Sequence, residues 1–409
     1  MDIVSAAGLI LINTLLVLIQ GGSLMSSCAV VFLALCAVAG SLKCKDTAGD
    51  INKGIGDNFF SILIPAYMEG DVLLENVEAI ERQNYPRDRI KVSVVADRLD
   101  PALTAMLREK NIIVYDVALE ESTKSKALRY FLEHDSPGAE EYVVILDADN
   151  VCHPDFLKEI NKELNNGFRV IQGKRIAKNQ DTVIARLDAI SEYNGNFLSR
   201  KSSLLLNVSG TLIGSGFAMQ YELFKKHILA LSGDIKGGFD KELQNNLVLS
   251  GDSASRIKYC EEAICYDEKT GRRNPFVMQR ARWIAAYLQY VPKAVRLFRR
   301  AVFSLDKNSF FMGIYGMTPP YTWICMLNFL LFMFSVIFRH ALIHPGFYLT
   351  VCVTLWAIPL LALYDGKADK RMRTTYIFFA PLFLLISFQS LFKLKFARKR
   401  FLHTPHGKP

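Results

Sequence analysis

Apolar residues are concentrated at the two ends of the chain, and the middle has the mixed pattern of a globular domain. Near the N-terminus, the segments Ile3 to Ile19 and Leu24 to Leu42 contain no charged residue. Each approaches the roughly 20 residues that a helix needs to cross a bilayer core. Residues 20–23, Gln-Gly-Gly-Ser, are typical of a turn. The pattern predicts a transmembrane hairpin over residues 1–45, with a cleaved signal peptide as the alternative for the first segment.

Three further apolar segments follow near the C-terminus, within residues 321–395. They are Tyr321 to Phe338, Gly346 to Tyr364 and Thr375 to Phe392. Together with the N-terminal pair they predict about five transmembrane helices. Before them, Asn308 to Pro320 carries several apolar side chains ahead of two prolines, which predicts an interfacial helix within residues 301–320.

The basic residues near these segments predict how the chain is oriented. Lys43 and Lys45 follow the second segment, and a cluster over residues 367–373 follows the fourth. Because lysine and arginine are enriched on the cytosolic side, the large middle region is expected in the cytosol. Five spans would leave the basic residues 393–400 outside, so a segment near the C-terminus is expected to re-enter the membrane or lie in the interface. The tail itself is expected to begin near residue 396 and run to 409.

The middle of the chain, residues 46–300, alternates predicted strands and helices. Near-continuous apolar runs predict strands at Phe59 to Ile64, Ile90 to Ala96, Asn111 to Tyr115 and Tyr142 to Leu146. The predicted helices are Val72 to Gln83, Pro101 to Glu109, Lys124 to Leu132 and Pro154 to Leu164. This alternation indicates an α/β fold with a mostly parallel sheet covered on both faces. Such sheets bind ligands beyond the carboxyl ends of their strands.

Composition and charge narrow the class of protein. Of the 409 residues, 51% are hydrophobic and 22% charged, and the net charge is +9. Part of that charge lies in residues 393–400, which suits anionic membrane lipids. The sequence shows no nucleic-acid-binding module, so a nucleic-acid partner is not expected. The eight cysteines have no paired metal-ligand spacing and suit a reducing compartment.

Two carboxylates follow the fourth predicted strand. Asp147 and Asp149 come directly after the apolar run that ends at Leu146. Hard divalent cations prefer oxygen ligands and often share them with substrate phosphates. The pair therefore indicates a Mg²⁺ or Mn²⁺ site that faces a diphosphate, although an Asp-x-Asp sequence also occurs in ordinary polar loops.

Six other segments combine polar and small residues in a distinctive order. They are residues 64–69 (Ile-Pro-Ala-Tyr-Met-Glu), 94–97 (Val-Val-Ala-Asp), 124–128 (Lys-Ser-Lys-Ala-Leu), 214–217 (Gly-Ser-Gly-Phe), 238–243 (Gly-Phe-Asp-Lys-Glu-Leu) and 279–283 (Gln-Arg-Ala-Arg-Trp). With the Asp-x-Asp pair, the sequence resembles the family-2 glycosyltransferases of GT-A type. It is most similar to the membrane-integrated synthases of cellulose, chitin and hyaluronan, over roughly residues 59–283.

The resemblance implies a role for each motif residue. The implied donor-binding residues are Ala66, Tyr67, Glu69, Asp97, Lys126 and Asp147, with Asp147 and Asp149 also holding the metal. The implied acceptor and pyrophosphate residues are Gly214, Ser215, Gly216, Gln279, Arg282 and Trp283. Asp240 matches the catalytic base of the family's Thr-Glu-Asp segment, but Phe239 stands where these synthases usually carry glutamate, which puts detailed acceptor contacts in doubt.

The chemistry of these side chains suits these roles, but Asp240 and residues 279–283 also have simpler interpretations. An inverting transfer needs a carboxylate that accepts the proton of the attacking hydroxyl, and Asp240 could supply it or merely cap a helix. Arg282 suits phosphate oxygens, and Trp283 offers an apolar face to a sugar ring. The alternative for residues 279–283 is a basic amphipathic helix on the membrane surface.

These expectations combine into one hypothesis with two alternatives. The chain is expected to be an integral protein of the plasma or inner membrane that transfers a sugar from a UDP-sugar to a growing β-linked polysaccharide, coupled to translocation. The first alternative is transfer of one sugar to a membrane lipid, as in ceramide glucosyltransferase-like enzymes. The second is a non-catalytic, nucleotide-sensing membrane scaffold. The donor sugar, the linkage and the oligomeric state are not predicted.

Overall fold

The structure, a computed structural model, describes residues 3–46, 56–135, 138–231, 235, 237–338 and 343–395. Within these ranges the middle of the chain forms an eight-stranded sheet, and both ends are helical. The strands are β1 (Phe60–Tyr67), β2 (Ile90–Asp97), β3 (Ile113–Val117), β4 (Tyr142–Ile145), β5 (Val151–Cys152), β6 (Val170–Ala177), β7 (Phe217–Gln220) and β8 (Ile257–Asp267). The predicted basic tail, 396–409, lies outside the described residues.

The described helices surround the sheet and extend from it. Those before residue 250 are α1 (Ile3–Asp46), α2 (Val72–Glu81), α3 (Pro101–Glu109), α4 (Lys124–His134), α5 (Phe156–Asn165), α6 (Val183–Gly195), α7 (Ser202–Leu206), α8 (Tyr221–Leu229) and α9 (Phe239–Leu249). The later ones are α10 (Arg273–Ser304), α11 (Lys307–Met317), α12 (Tyr321–Ile337), α13 (Pro345–Asp365) and α14 (Lys370–Gln389). A π-helical segment, Asn196–Lys201, joins α6 to α7.

The sheet has the strand order β3-β2-β1-β4-β7-β6-β8-β5. Its first four strands are parallel, which confirms the predicted mostly parallel α/β fold. Beyond them β7 runs antiparallel to both β4 and β6. The sequence analysis did not predict β5 to β8. In the parallel half, Tyr67 at the end of β1 pairs with Asp97 at the end of β2, so their side chains reach the same edge of the sheet.

Alternating residues of the strands pack into two hydrophobic layers, one on each face of the sheet. From β1, Ile62 and Ile64 pack with α2, α3 and α5 on one face. Leu63 points to the other face and packs with α4, α8 and α9. Successive side chains of a strand face opposite sides of a sheet, so a sheet covered on both faces needs continuous apolar strands. This explains why the sequences of β1, β2 and β4 are predominantly apolar.

The N-terminal segment is a single helix, which corrects the predicted hairpin. Helix α1 continues without a break through Gly21 and Gly22, and a Cβ atom on either would meet nothing within 4 Å. A glycine costs a helix only about 1 kcal/mol relative to alanine. That penalty is too small to force a turn when long helix-compatible segments flank it. Farther along α1, Val30, Leu33 and Ala37 pack against the π-helical segment and α13.

Three described helices are long and apolar enough to cross a membrane: residues 13–42 of α1, α13, and α14 with its continuation to Lys393. A fourth span is possible if α11 and α12 count as one, although they are bent by 58° across Thr318 to Pro320. The predicted count of about five is therefore not confirmed within the described residues. Helix α11 falls inside the range predicted for an interfacial helix, while α10 continues to Ser304, past the predicted domain boundary at residue 300.

Candidate active site

Three carboxylates converge at the carboxyl edge of the sheet. Oxygens of Asp147, Asp149 and Asp267 all lie within 4.8 Å of one another, and we call these residues the acidic cluster. Strand β5 brings them together, because Val151 pairs with Tyr266 next to Asp267. The Nδ2 atom of Asn150 donates to Asp149 at 3.2 Å and to Asp267 at 3.3 Å. A set of three oxygen donors fits Mg²⁺ or Mn²⁺.

Lys124, in the first turn of α4, lies directly against the acidic cluster. Its Nζ atom donates to the carboxylate of Asp147 and, at 2.7 Å, to the backbone oxygen of Gly214. Burial would raise the pKa of the Asp147 carboxyl. Attraction by Lys124 and Arg175, with a hydrogen bond from Ser215, outweighs burial and holds this pKa below its ordinary value. Asp147 therefore carries its charge at neutral pH.

A second group of charges, the charge network, consists of Arg175, Glu192, Arg200 and Lys269. Glu192 accepts from all three cations, at 2.9 Å from Arg175, 3.0 Å from Arg200 and 3.2 Å from Lys269. Burial would raise the pKa of Glu192, but these cations lower it well below the ordinary value. Lys269 also donates to Asp267 at 2.6 Å, so the network is continuous with the acidic cluster.

The residues predicted to contact the donor lie beside this edge of the sheet. Ala66, Tyr67, Glu69 and Asp97 all line one cavity with Asp147. Asp97 is buried and accepts from the Ser122 hydroxyl and from the backbone of Leu119. These contacts fix the position of the Asp97 carboxylate, which lines the cavity.

Lys126 is placed differently from its neighbours. Among the described residues that line the cavity, Lys124 is present and Lys126 is not. Residues two apart on a helix point in nearly opposite directions, so only one of the two lysines can face the acidic cluster. The sequence alone could not decide which lysine it was.

Asp240 lines the same cavity as the predicted donor residues and lies in the first turn of α9. Gly238 precedes the helix with φ of +74°, a left-handed conformation that favours glycine. Gly214 (φ +85°) lies next to Asp240, since a Cβ atom on Gly214 would be 4.0 Å from the Asp240 Cβ.

Of the predicted Gly-Ser-Gly loop, Gly214 lines the cavity, whereas Ser215 and Gly216 do not appear among its described lining residues. Their carbonyl oxygens both accept from the Nε2 atom of Gln172 at 3.0 Å. The Ser215 side chain hydrogen-bonds to Asp147. Ser215 and Gly216 thus hold the loop in place, and Ser215 also supports the acidic cluster.

Helix α10 carries the Gln-Arg-Ala-Arg-Trp segment of residues 279–283 along the cavity. Gln279, Arg280, Arg282 and Trp283 all line it. Arg280 is anchored by Asp188 and Ser191 of α6, each at 2.6 Å, and its guanidinium carbon lies 4.4 Å from the centre of the Trp283 ring. Burial lowers the pKa of Arg282. Trp283 remains 42% exposed, so Arg280 does not cover the whole side chain.

The cavity connects the sheet edge with the long apolar helices. It has a volume of about 760 Å³ and contains the acidic cluster, Asp240 and Trp283. From there it continues between α1, α12, α13 and α14. Residues that line this second part are Val30, Leu33, Cys325, Trp356, Pro359, Tyr376, Ala380 and Phe383. The charged and apolar parts form one continuous space.

Asp267 and the charge network were missed by the sequence analysis. Strand β8 alternates buried and partly buried residues over much of its length, and an aspartate ends it. An acidic residue at the end of a strand could therefore have indicated Asp267, as it did Asp147. Asp267 was not recognised in this way because β8 had not been predicted.

A mostly parallel, curled sheet with an acidic cluster at its carboxyl edge is the architecture of a glycosyltransferase with a GT-A-like fold. The family model described as "Glycosyltransferase like family 2" matches residues 57–286, more than half of the chain. The chain belongs to this family.

Two similar proteins extend the comparison. The "Glucomannan 4-beta-mannosyltransferase 1" of Oryza sativa subsp. japonica is 27% identical over 161 residues, which are 36% of this chain and 31% of the relative. The chain is thus matched to about a third of that protein's length. The structure of the mannosyltransferase PcManGT from Pyrobaculum calidifontis, in complex with GDP-Man and Mn²⁺, superposes with a TM-score of 0.51. That match covers 92% of this chain and all of the other, at 15% identity, and shows a shared fold.

Proposed function

We propose that this glycosyltransferase transfers a sugar, with inversion, from a UDP-sugar to a growing β-linked polysaccharide. The observation that carries the proposal is the single cavity that contains the acidic cluster, Asp240 and Trp283 and continues between the apolar helices. The acidic cluster would serve the donor. Asp240 would act as the base, and Trp283 as a platform for the acceptor. The space between the apolar helices would give an acceptor or product a path. The name of the rice relative, a glucomannan mannosyltransferase, supports a β-linked polysaccharide.

On the donor side, Asp97 and Tyr67 would hold the nucleoside, and the acidic cluster would hold Mg²⁺ or Mn²⁺. The bound cation would neutralise negative charge on the leaving diphosphate. Arg282 reaches the same cavity and suits phosphate oxygens through its planar donors. Lys124, rather than Lys126, is the lysine we assign to the donor, because it contacts Asp147.

On the acceptor side, Asp240 would accept the proton of the attacking hydroxyl. The hydroxyl oxygen then bonds to the anomeric carbon as the bond to the diphosphate breaks on the opposite side, so the configuration inverts. General base catalysis of this kind contributes about 10²- to 10⁴-fold in rate. Trp283 would stack on the acceptor sugar and orient its hydroxyl towards Asp240.

The family resemblance predicts that the nucleotide of the donor is UDP. The named relatives are mannosyltransferases, and one structure holds GDP-Man, so a test must include both kinds of donor. We place the protein in the membrane through α1, α13 and α14, with the sheet domain in the cytosol where nucleotide-sugars are made. The distribution of lysine and arginine supports this orientation.

A specific observation favours a second function, transfer of one sugar to a lipid. The part of the cavity between the apolar helices is lined mainly by apolar and aromatic side chains, among them Val30, Leu33 and Phe383. A lipid chain would fit such a lining, whereas a sugar polymer needs polar partners along its path as well. Arg175, Glu192 and Arg200 provide charged groups at the sheet-side part of the cavity.

Product size distinguishes the two functions. Full-length protein in nanodiscs would be supplied with UDP-glucose, UDP-N-acetylglucosamine or GDP-mannose, each radiolabelled, and with Mn²⁺ or Mg²⁺. The proposal expects a high-mass product that a β-glycan hydrolase digests. A small product that partitions into organic solvent would replace the proposal by the lipid alternative. Nucleotide binding without any product would support the scaffold alternative.

A further inference from the structure

The ammonium group of Lys124 contacts a carboxylate that a metal ion would also bind. Its Nζ atom contacts Asp147, one of three carboxylates whose oxygens lie within 4.8 Å of one another. Its other partners are the Gly214 carbonyl at 2.7 Å and the Phe239 ring, whose centre is 5.4 Å away. Both are uncharged. Among the described residues, Asp147 is therefore the one carboxylate that forms an ion pair with Lys124.

Within the acidic cluster and the charge network, positive and negative groups are equal in number when Lys124 is counted. The acidic cluster and Glu192 supply four carboxylates. Lys124 and the three cations of the charge network, Arg175, Arg200 and Lys269, supply four positive charges, and their ion pairs reach Asp147, Asp267 and Glu192. A divalent cation that arrives alone would leave an excess of positive charge in a partly buried site. A nucleoside diphosphate arriving with it would restore the balance.

We propose that Lys124 is an internal cation that competes with the divalent metal for Asp147, so that the metal binds tightly only together with the donor diphosphate. When the donor binds, the ammonium group moves from Asp147 to a phosphate oxygen, where it makes a charge-assisted hydrogen bond. The carboxylate is then free for the metal. Metal and donor consequently strengthen each other's binding, by the same factor in both directions. This inference rests on the proposed function, because it assigns the diphosphate of the donor as Lys124's second partner.

The test measures binding of Mn²⁺ alone to full-length protein in detergent, by the electron paramagnetic resonance signal of free Mn²⁺. Lys124→Met removes the competing charge and is expected to tighten Mn²⁺ binding by about ten-fold, within the usual range of coupling between sites. Lys124→Gln is a second neutral variant that keeps a donor for the Gly214 carbonyl, and it should behave in the same way. Lys124→Arg keeps the charge and should bind Mn²⁺ as weakly as the wild type.

Lys126→Met is the matched control, because it removes a lysine from the same helix that does not line the cavity. Its Mn²⁺ affinity should equal that of the wild type. The proposal is overturned if both neutral Lys124 variants bind Mn²⁺ no more tightly than the wild type. It is equally overturned if Lys124→Arg or Lys126→Met tightens binding as much as Lys124→Met does.

The measurement involves no sugar transfer, so its failure can be told apart from failure of the proposed function. Tighter Mn²⁺ binding in the neutral variants supports the competition even for a protein that turns over none of the tested donors. In that case the proposed function alone would be rejected. Conversely, turnover by the wild type together with unchanged Mn²⁺ affinity in the neutral Lys124 variants would reject the competition and leave the proposed function standing.

Discussion

The ammonium group of Lys201 donates to the carboxylate of Asp365 at 2.7 Å and so joins the π-helical segment to the last residue of α13. Lys201 is buried and also contacts Glu261 of β8 at 2.9 Å. One lysine thereby connects the sheet domain with a helix that can cross a membrane. Breaking a buried ion pair by removing one partner leaves uncompensated charge, which is far more costly than breaking an exposed pair.

Lys201→Met is therefore expected to destabilise the protein by about 3 kcal/mol, since the Asp365 carboxylate loses its ion-pair partner and Glu261 is left with Lys174 at 3.5 Å. Thermal unfolding of the purified protein in detergent measures the effect. Arg82→Met is the control, because Arg82 forms an exposed pair with Glu78 within one helix, worth less than about 1 kcal/mol. Equal and small shifts in the two variants would show that Lys201 does not hold the domain to α13.

Asp267→Asn tests the residue that completes the acidic cluster. Loss of one charged oxygen ligand should raise the Mn²⁺ concentration that gives half-maximal turnover by about ten-fold or more, as judged from the effects of residues around metal sites. Chelation of the metal should abolish turnover of the wild type. Asp116→Asn, an exposed aspartate on β3, serves as the control. An unchanged Mn²⁺ requirement in Asp267→Asn would remove Asp267 from the metal site.

The charge network makes stability depend on pH through Glu192. Its pKa in the folded protein lies below the ordinary value of 4.5, because the three cations outweigh the effect of burial. Its stabilisation is therefore fully present above the ordinary value and is lost as the pH falls below it. The wild type should unfold at a higher temperature than Glu192→Gln at pH 7, and the difference should narrow as the pH falls from 5 towards about 3.5. A difference that stays constant over this range would contradict the pKa shift.

Trp283 is expected to act on the acceptor more than on the donor. Trp283→Ala should raise the KM for the acceptor by about 2- to 12-fold, since an aromatic stacking contact is worth about 0.5–1.5 kcal/mol. The KM for the donor should change much less. Trp283→Phe keeps an aromatic face and should recover most of the loss. Initial rates at varied acceptor and donor concentrations provide the measurement, and equal changes in both KM values would refute an acceptor platform.

The strands and helices around the first half of the sheet were predictable because their signals are local. The strand that ends before Asp147 and the strand that ends at Asp97 are mainly apolar, and a parallel sheet brings their carboxyl ends to one edge. The second half of the sheet was not predicted, because β7 pairs antiparallel with β4 and β6 through contacts between distant segments. Asp267 could be joined to the acidic cluster only once the pairing of β8 with β5 was known.

Two other differences between the predictions from the sequence and the structure also have physical causes. At Gly21 and Gly22 the sequence suggested a turn, but flexibility permits a turn without requiring one, and the flanking residues continue the helix. At Lys124 and Lys126 the segment was recognised, whereas the choice of lysine depends on which face of α4 meets Asp147. Local patterns thus located the motif, and tertiary packing selected the side chain.

The central claim, that Asp240 is the base of a sugar transfer, is tested most directly by nucleotide release from matched wild-type and Asp240→Asn proteins. Each would be supplied with the donor and acceptor found to support turnover, and nucleotide affinity would be measured in parallel. The account predicts a loss of about 10²- to 10⁴-fold in kcat with nucleotide affinity unchanged. Asp88→Asn, an exposed aspartate outside the cavity, should match the wild type. Near-normal transfer by Asp240→Asn with intact nucleotide binding would contradict the account.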